Sequence, residues 1–239
     1  MVERIRQSSF QDISDGQPIV VLAPHPDDET LGCGGLLHAA FAGPGARVIC
    51  MTDGGASHPN SRRWDREARA LMRAGELEEA IVALGGSPEA VIRLGLPDAG
   101  MLELEPQYEE LAQTITQIAD QAGAHVLVAP APTDPHCDHE ATAQIAQIAA
   151  RAADLRLLYY PIWSEWHDVD YRHRLPHRVE HRFDISRARD AKAAAISAHR
   201  SQLGQVIDDD PEGFVLPDAF LEKFRSGEEI FFEDATWRG

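Results

Sequence analysis

Five short, largely apolar runs constrain this chain most: Ile19–Ala23, Arg47–Met51, Val91–Leu94, Val126–Ala129 and Leu155–Tyr160. They are rich in β-branched and leucyl residues with few alternating polar positions, the pattern of strands buried on both faces. Stretches of helical length follow or separate them, over Leu31–Ala42, Arg62–Leu84, Gln107–Gln121, Glu140–Ala152 and Arg187–Ser201. In the fourth of these, Ile145, Ile148, Ala149 and Ala152 recur at helical spacing and predict one apolar face. Strands that alternate with helices are joined by crossovers, which make neighbouring strands parallel and place helices on both sides of the sheet.

The expected fold is therefore α/β, a Rossmann-like, doubly wound and mostly parallel sheet. The alternation stops near residue 161. Beyond it, Trp163, Trp166, four histidines from His167 to His181 and a Val179–Phe183 strand predict a small β-containing cap or edge over 161–239, within one domain spanning 1–239. Gly32-Cys33-Gly34-Gly35 opens a helix after a strand but lacks the Gly-x-Gly-x-x-Gly spacing, and carboxylates precede it where a pyrophosphate would approach. Small residues that let a helix pack closely on the sheet are the better reading.

Charge narrows the partners. With 39 acidic against 22 basic residues the formal net charge is −17, which disfavours nucleic acid and anionic membrane surfaces. Three cysteines, Cys33, Cys50 and Cys137, form neither an even framework nor a CxxC pair, as suits a reducing compartment. No stretch approaches a membrane span, and residues 1–17 carry no apolar signal core. A cytoplasmic protein is expected, and a homo-oligomer stays open.

Chemistry concentrates at two strand ends. Pro24-His25-Pro26-Asp27-Asp28-Glu29-Thr30 follows the first strand, and His136-Cys137-Asp138-His139 follows the fourth. The carboxyl ends of strands are where open α/β sheets place their sites. Either motif alone is compatible with a polar turn whose Asp caps a helix. Together they put imidazoles and carboxylates where both can converge on one cation, with a carboxylate to spare for proton transfer, as metal-assisted hydrolysis requires. The spacing does not say which Asp binds metal, because Asp27 and Asp28 could each cap the helix. His136 and His139 are likewise interchangeable as ligand on spacing alone, and Cys137 lies between them.

These motifs resemble the PIG-L/LmbE family of zinc-dependent deacetylases, which hydrolyse N-acetyl groups on glucosamine-type sugars. The likeness runs over roughly 18–233. It takes in Thr52-Asp53-Gly54, Arg73-Ala74-Gly75-Glu76, Leu94-Gly95-Leu96-Pro97-Asp98 and Ala198-His199-Arg200-Ser201-Gln202. The resemblance implies His25, Asp28 and His139 as metal ligands, Asp27 as general base, and His136 as the group that stabilises the oxyanion or protonates the leaving amine. Asp138 is expected to orient His136 and keep it cationic. Arg73 and Asp98 are implied as substrate-binding residues, while His199, Gln202, Trp163 and Trp166 are left between substrate contact and packing. The implied cofactor is Zn2+, with Fe2+ or another divalent metal equally compatible with these ligand types. The implied partner is a small N-acetylated sugar or sugar conjugate.

Three other readings compete. A metal-dependent hydratase of an unsaturated carboxylic acid would use the same scaffold, and a pocket rich in basic groups would mark it. His25-Pro26-Asp27 with a remote His is formally the triad of an Fe(II) oxygenase, but this strand–helix alternation does not suit that class. A metal-retaining interaction module has no use for the free carboxylate at Asp27.

Overall fold

The structure is a computed structural model that describes residues 4–168, 170–175, 177–225 and 227–234. In chain order the elements are β1 (Arg4–Gln7), α1 (Phe10–Ser14), β2 (Ile19–Ala23), α2 (Asp28–Phe41), β3 (Ala46–Thr52), α3 (Arg66–Ala83), β4 (Val91–Leu96) and α4 (Tyr108–Ala122). There follow β5 (Val126–Pro130), α5 (Cys137–Ala153), β6 (Arg156–Tyr160), α6 (Ser164–His167), α7 (Tyr171–Arg174), β7 (His177–Asp184), α8 (Arg189–Ala198), α9 (Asp218–Arg225) and β8 (Glu228–Asp234). Short 3-10 turns lie at Pro88–Ala90, Met101–Gln107 and Arg200–Leu203.

The strands form one sheet in the order β1-β7-β8-β6-β5-β2-β3-β4. All neighbours are parallel except β8, which runs antiparallel to both β6 and β7. From β2 the chain moves outward through β3 and β4, then returns to place β5 on the other side of β2 and continues to β6. The reversal puts a topological switch point at the carboxyl ends of β2 and β5, where a crevice opens in such sheets.

Strand residues alternate between two cores. Ile19, Val21, Val48, Val128 and Leu158 pack with α2, α3, α8 and α9, whereas Val20, Leu22, Ile49, Leu127 and Leu157 pack with α4 and α5. The doubly wound α/β sheet matches the expected class. The region after residue 161 takes the form of an edge: β7 and β8 extend the main sheet, and the described part builds no separate β-layer. Residues 235–239 of the expected cap lie outside the described residues. In α5, Ile145 and Ala149 are buried and Ile148 is half-buried, but Ala152 is exposed, because the helix ends one residue later at Ala153.

The glycines of α2 serve packing. A Cβ on Gly32 would lie 2.2 Å from Tyr160 Cδ2, and one on Gly35 would lie 2.3 Å from Ile185 Cγ2. The same helix rests on a buried ion pair. Glu229 of β8 accepts from Lys192 Nζ at 2.7 Å and from the backbone N–H groups of Gly35 and Leu36 at 2.6 and 2.8 Å. Glu229→Ala leaves the Lys192 ammonium buried without its carboxylate, and a loss of ~3–5 kcal/mol in urea denaturation is expected. A loss below ~1 kcal/mol, the scale of a surface pair, would show that the pair does not hold α2 in place. Among the described residues no helix is long and apolar enough to cross a membrane.

Candidate active site

The Pro24–Asp28 turn leaves β2 and enters α2 directly, so Asp28 is already the first helical residue. Asp27 occupies the capping position but makes no side-chain capping bond, which leaves its carboxylate to face the crevice. At the end of β5, the segment Ala131–His136 enters α5 with His136 as its cap. The Asp138 backbone N–H donates to His136 Nδ1 at 3.2 Å. One nitrogen from each of His25, His136 and His139 lies within 4.8 Å of the other two.

Asp28 Oδ2 is the focus of this cluster. It accepts from the His25 backbone N–H at 2.9 Å and lies 3.2 Å from His25 Nδ1. His139 Nε2, fully buried, also lies 3.2 Å from that oxygen, in ion-pair range but not aligned for a hydrogen bond. Each of these two imidazoles is held on its outer side by carboxylates. His25 Nε2 is 3.0 Å from Asp138 Oδ2 and 3.3 Å from Asp98 Oδ1, and His139 Nδ1 is 3.0 Å from Asp134 Oδ2. Asp134 is itself fixed by the backbone N–H groups of Ile162 and Ser164 at 3.1 and 2.8 Å.

A carboxylate on the outer nitrogen is the usual support of a metal-ligating histidine. The electrostatics favour positive charge at the same point. Burial alone would push both imidazoles down, but Asp138, Asp28 and Asp98 raise His25 well above its usual value, and Asp28 with Asp134 raises His139 to about 9. Burial opposes ionisation of Asp28, yet His139 and His25 hold it well below the carboxylate range. Two imidazole nitrogens, His25 Nδ1 and His139 Nε2, each 3.2 Å from Asp28 Oδ2 in a buried cluster, make a donor set that fits a divalent cation.

Two expectations need correction. The Asp138 carboxylate does not orient the His136 imidazole, which accepts from the Asp138 backbone N–H; the carboxylate bonds His25 Nε2 and the backbone N–H groups of Ala99 and Met101, at 3.0, 2.7 and 3.1 Å. Nor is His136 cationic. Burial and the neighbouring His25 and His139 lower it to about 4, against the weaker pull of Asp138 and Asp28. With Nδ1 accepting from the backbone, the proton of the neutral ring sits on Nε2.

Arg73 lines the cavity, as a substrate-binding residue would, but its buried guanidinium is engaged by the protein: it donates to Gly54 O, Pro26 O and Asp27 Oδ2 at 2.9, 3.2 and 3.2 Å. Burial raises the Asp27 carboxyl to about 6, and the Arg73 guanidinium limits the rise. Asp98 accepts from Ala56 N–H at 2.8 Å while facing His25, so both its oxygens are engaged by the protein.

A cavity of about 240 Å³ opens on this cluster, lined by His25, Asp27, Asp28, Arg73, Asp98 and His136 together with Gln202 and Trp163. Gln202 Nε2 donates to Ser201 Oγ at 2.8 Å, and that hydroxyl donates to Glu76 Oε2 at 2.7 Å. The chain of bonds fixes the amide so that Oε1, buried and unpartnered, is the acceptor left over. His199 sits behind, 3.1 Å from Thr30 Oγ1, and Trp166 lies outside the cavity lining. Cys137 does not line the cavity; its Sγ lies 3.6 Å from Asp138 Oδ1, and burial raises the thiol. Sequence reasoning missed Asp134, Ser57, Phe214 and Leu216.

Residues 20–150 match the model of the PIG-L family, described as GlcNAc-PI de-N-acetylase. The chain belongs to this family. Two curated PIG-L-like relatives carry the name 1D-myo-inositol 2-acetamido-2-deoxy-alpha-D-glucopyranoside deacetylase. That of Kineococcus radiotolerans is 29% identical over 175 residues, covering 60% of this chain and 48% of the relative. That of Saccharomonospora viridis is 29% identical over 226 residues, covering 75% and 82%. The chain thus spans about half the length of the first relative. The N,N'-diacetylchitobiose deacetylase of Pyrococcus horikoshii shares the fold, with a TM-score of 0.60 at 23% identity over 87% of this chain and 74% of that one. The PIG-L match holds the whole His/Asp cluster, whereas Trp163, Gln202, Phe214 and Leu216 lie beyond it.

Proposed function

We propose that this PIG-L protein is a zinc-dependent hydrolase that removes an N-acetyl group from an amino sugar or sugar conjugate. The observation that carries the reading is the convergence of His25 Nδ1 and His139 Nε2 on Asp28 Oδ2, each 3.2 Å away, in a cavity that Asp27 also lines. The names of the relatives support the same chemistry. When bound, the divalent cation supplies Lewis acidity that activates water and polarises the acyl carbonyl.

Asp27 takes the proton of the attacking water as the new C–O bond forms, and Arg73 keeps that carboxylate ionised and aimed until then. His136 donates from Nε2 to the carbonyl oxygen as negative charge develops there, and a neutral ring suffices for that task. As the C–N bond breaks, Asp27 returns its proton to the leaving nitrogen, so amide and water become amine and acetic acid, which ionises to acetate as the amine takes up that proton. Gln202 Oε1 accepts from a sugar hydroxyl. A hydratase acting on several carboxylates gains no support, since Arg73 is the one Arg or Lys lining the cavity, against Asp27, Asp28 and Asp98. We place the protein in the cytoplasm on its three unpaired cysteines.

Amine release from N-acetylglucosamine by the metal-loaded protein tests the reading. Two variants separate the roles at the end of β5. Asp138→Asn removes the carboxylate behind His25 and is expected to weaken metal affinity ~10–100-fold, measured against graded chelator. His136→Ala is expected to keep its metal and lower turnover by roughly 10²–10³, as for loss of one oxyanion donor. Metal loss in the His136 variant would make His136 a ligand.

A further inference from the structure

One wall of the cavity is apolar and does not take part in the chemistry above. It is built from Leu31, Trp163, Phe214 and Leu216, and three of these four lie beyond the residues that the family model matches. Leu31 and Leu216 are buried, whereas Phe214 leaves 38% of its surface exposed. Phe214 is not a lone surface ring, because it continues the apolar wall through its contact with Trp163 at the cavity mouth.

The Phe214 segment is held in place by its backbone. Phe214 N–H donates to Ser57 O at 2.7 Å, and Leu216 N–H donates to Gln202 O at 2.8 Å. Gly213 lies so close to His58 that a Cβ there would stand 2.0 Å from His58 Cδ2. Asp210 accepts from Asn60 N–H at 2.8 Å, and Asp209 from Arg62 N–H at 2.9 Å. The segment is thereby clasped to the loop that follows β3, and Phe214 meets Trp163 edge-on at 5.8 Å. Trp163 is in turn stacked on Phe220 at 4.7 Å. The backbone that carries the wall is therefore held in place before a ligand arrives.

We propose that this wall is a subsite for an apolar substituent on the amino sugar, so that the substrate is amphipathic: a polar N-acyl sugar over the His/Asp floor and an aryl or alkyl group against Trp163 and Phe214. The inference rests on the proposed deacylation and deepens it. The apolar group is carried either on the anomeric oxygen or as a longer N-acyl chain, and the assay distinguishes these sources.

Amine release is measured with N-acetylglucosamine, phenyl N-acetyl-β-D-glucosaminide and N-hexanoylglucosamine. At least one apolar substrate is expected to exceed N-acetylglucosamine in kcat/KM by ~10-fold or more, the scale set by filling a hydrophobic pocket. In Phe214→Ala that ratio should fall toward one, and Phe214→Leu should recover part of it. Equal kcat/KM for all three substrates, with amine released from each, would overturn the subsite and leave the hydrolase reading standing. If no substrate releases amine, the hydrolase reading fails. Calorimetric titration with phenyl β-D-glucoside and with glucose then decides the subsite, since equal affinity overturns it and a preference for the phenyl glycoside lost in Phe214→Ala supports it.

Discussion

Asp27→Asn is expected to keep its bound metal and lose ~10²–10⁴ in turnover, the usual contribution of a positioned general base. The amide preserves the shape of the side chain and can still accept from Arg73 Nη2, which lies 3.2 Å from Asp27 Oδ2 in the parent protein. What it lacks is the capacity to take a proton. The environment makes the carboxylate suitable for that task, because burial lifts it to about 6, near the working pH of a base, while Arg73 prevents a larger rise. Steady-state kinetics alongside elemental analysis of the metal content checks the outcome. Turnover near that of the parent would remove Asp27 from the chemistry, and loss of metal would make it a ligand.

His139→Ala is the second large effect. It removes an imidazole that meets Asp28 Oδ2 from the side opposite Asp134, and leaves the Asp134 carboxylate behind it facing a gap. Metal is expected to be lost from the purified protein and hydrolysis with it. The fold should persist, because His139 belongs to neither of the two apolar cores that hold the helices to the sheet. Far-UV circular dichroism reports the fold, and elemental analysis reports the metal. Full occupancy in a folded variant would contradict the ligand assignment.

The sheet was legible where strands are buried on both faces, because such strands are apolar throughout. That is why Ile19–Ala23 and Val126–Pro130, with the polar turns after them, stand out. The strand β8 did not, since its sequence opens with Glu228-Glu229 and closes with Glu233-Asp234. Those carboxylates hide a buried strand: Glu229 pairs with Lys192 and Glu233 with Arg156, partners 37 and 77 residues away in the chain. The helix α9 was likewise unforeseen.

The site followed the same division. His25, Asp28 and His139 are readable as strand-end groups that can converge, and the family resemblance assigns their order. Asp134 gave little signal because its meaning depends on β5 lying beside β6, which brings Ile162 and Ser164 N–H to its carboxylate. A preceding Asp in a Pro-rich turn was the faint clue. The misassigned partner of Asp138 has a similar cause. Adjacency in sequence suggested His136, but at the start of a helix neighbouring side chains diverge, and Asp138 turns toward His25 and the backbone after Asp98. The protonation of His136 follows from burial and two neighbouring imidazoles, neither of which local sequence encodes.

The most direct test of the account is a titration of metal-stripped protein with Zn2+ while amine release from N-acetylated glucosamine substrates is followed. The account predicts no release before metal is added, and a rise that saturates at one equivalent per chain. It also predicts no restoration by Zn2+ in His139→Ala. Release that is undiminished in the stripped protein, or saturation with the His139 variant fully active, would contradict it.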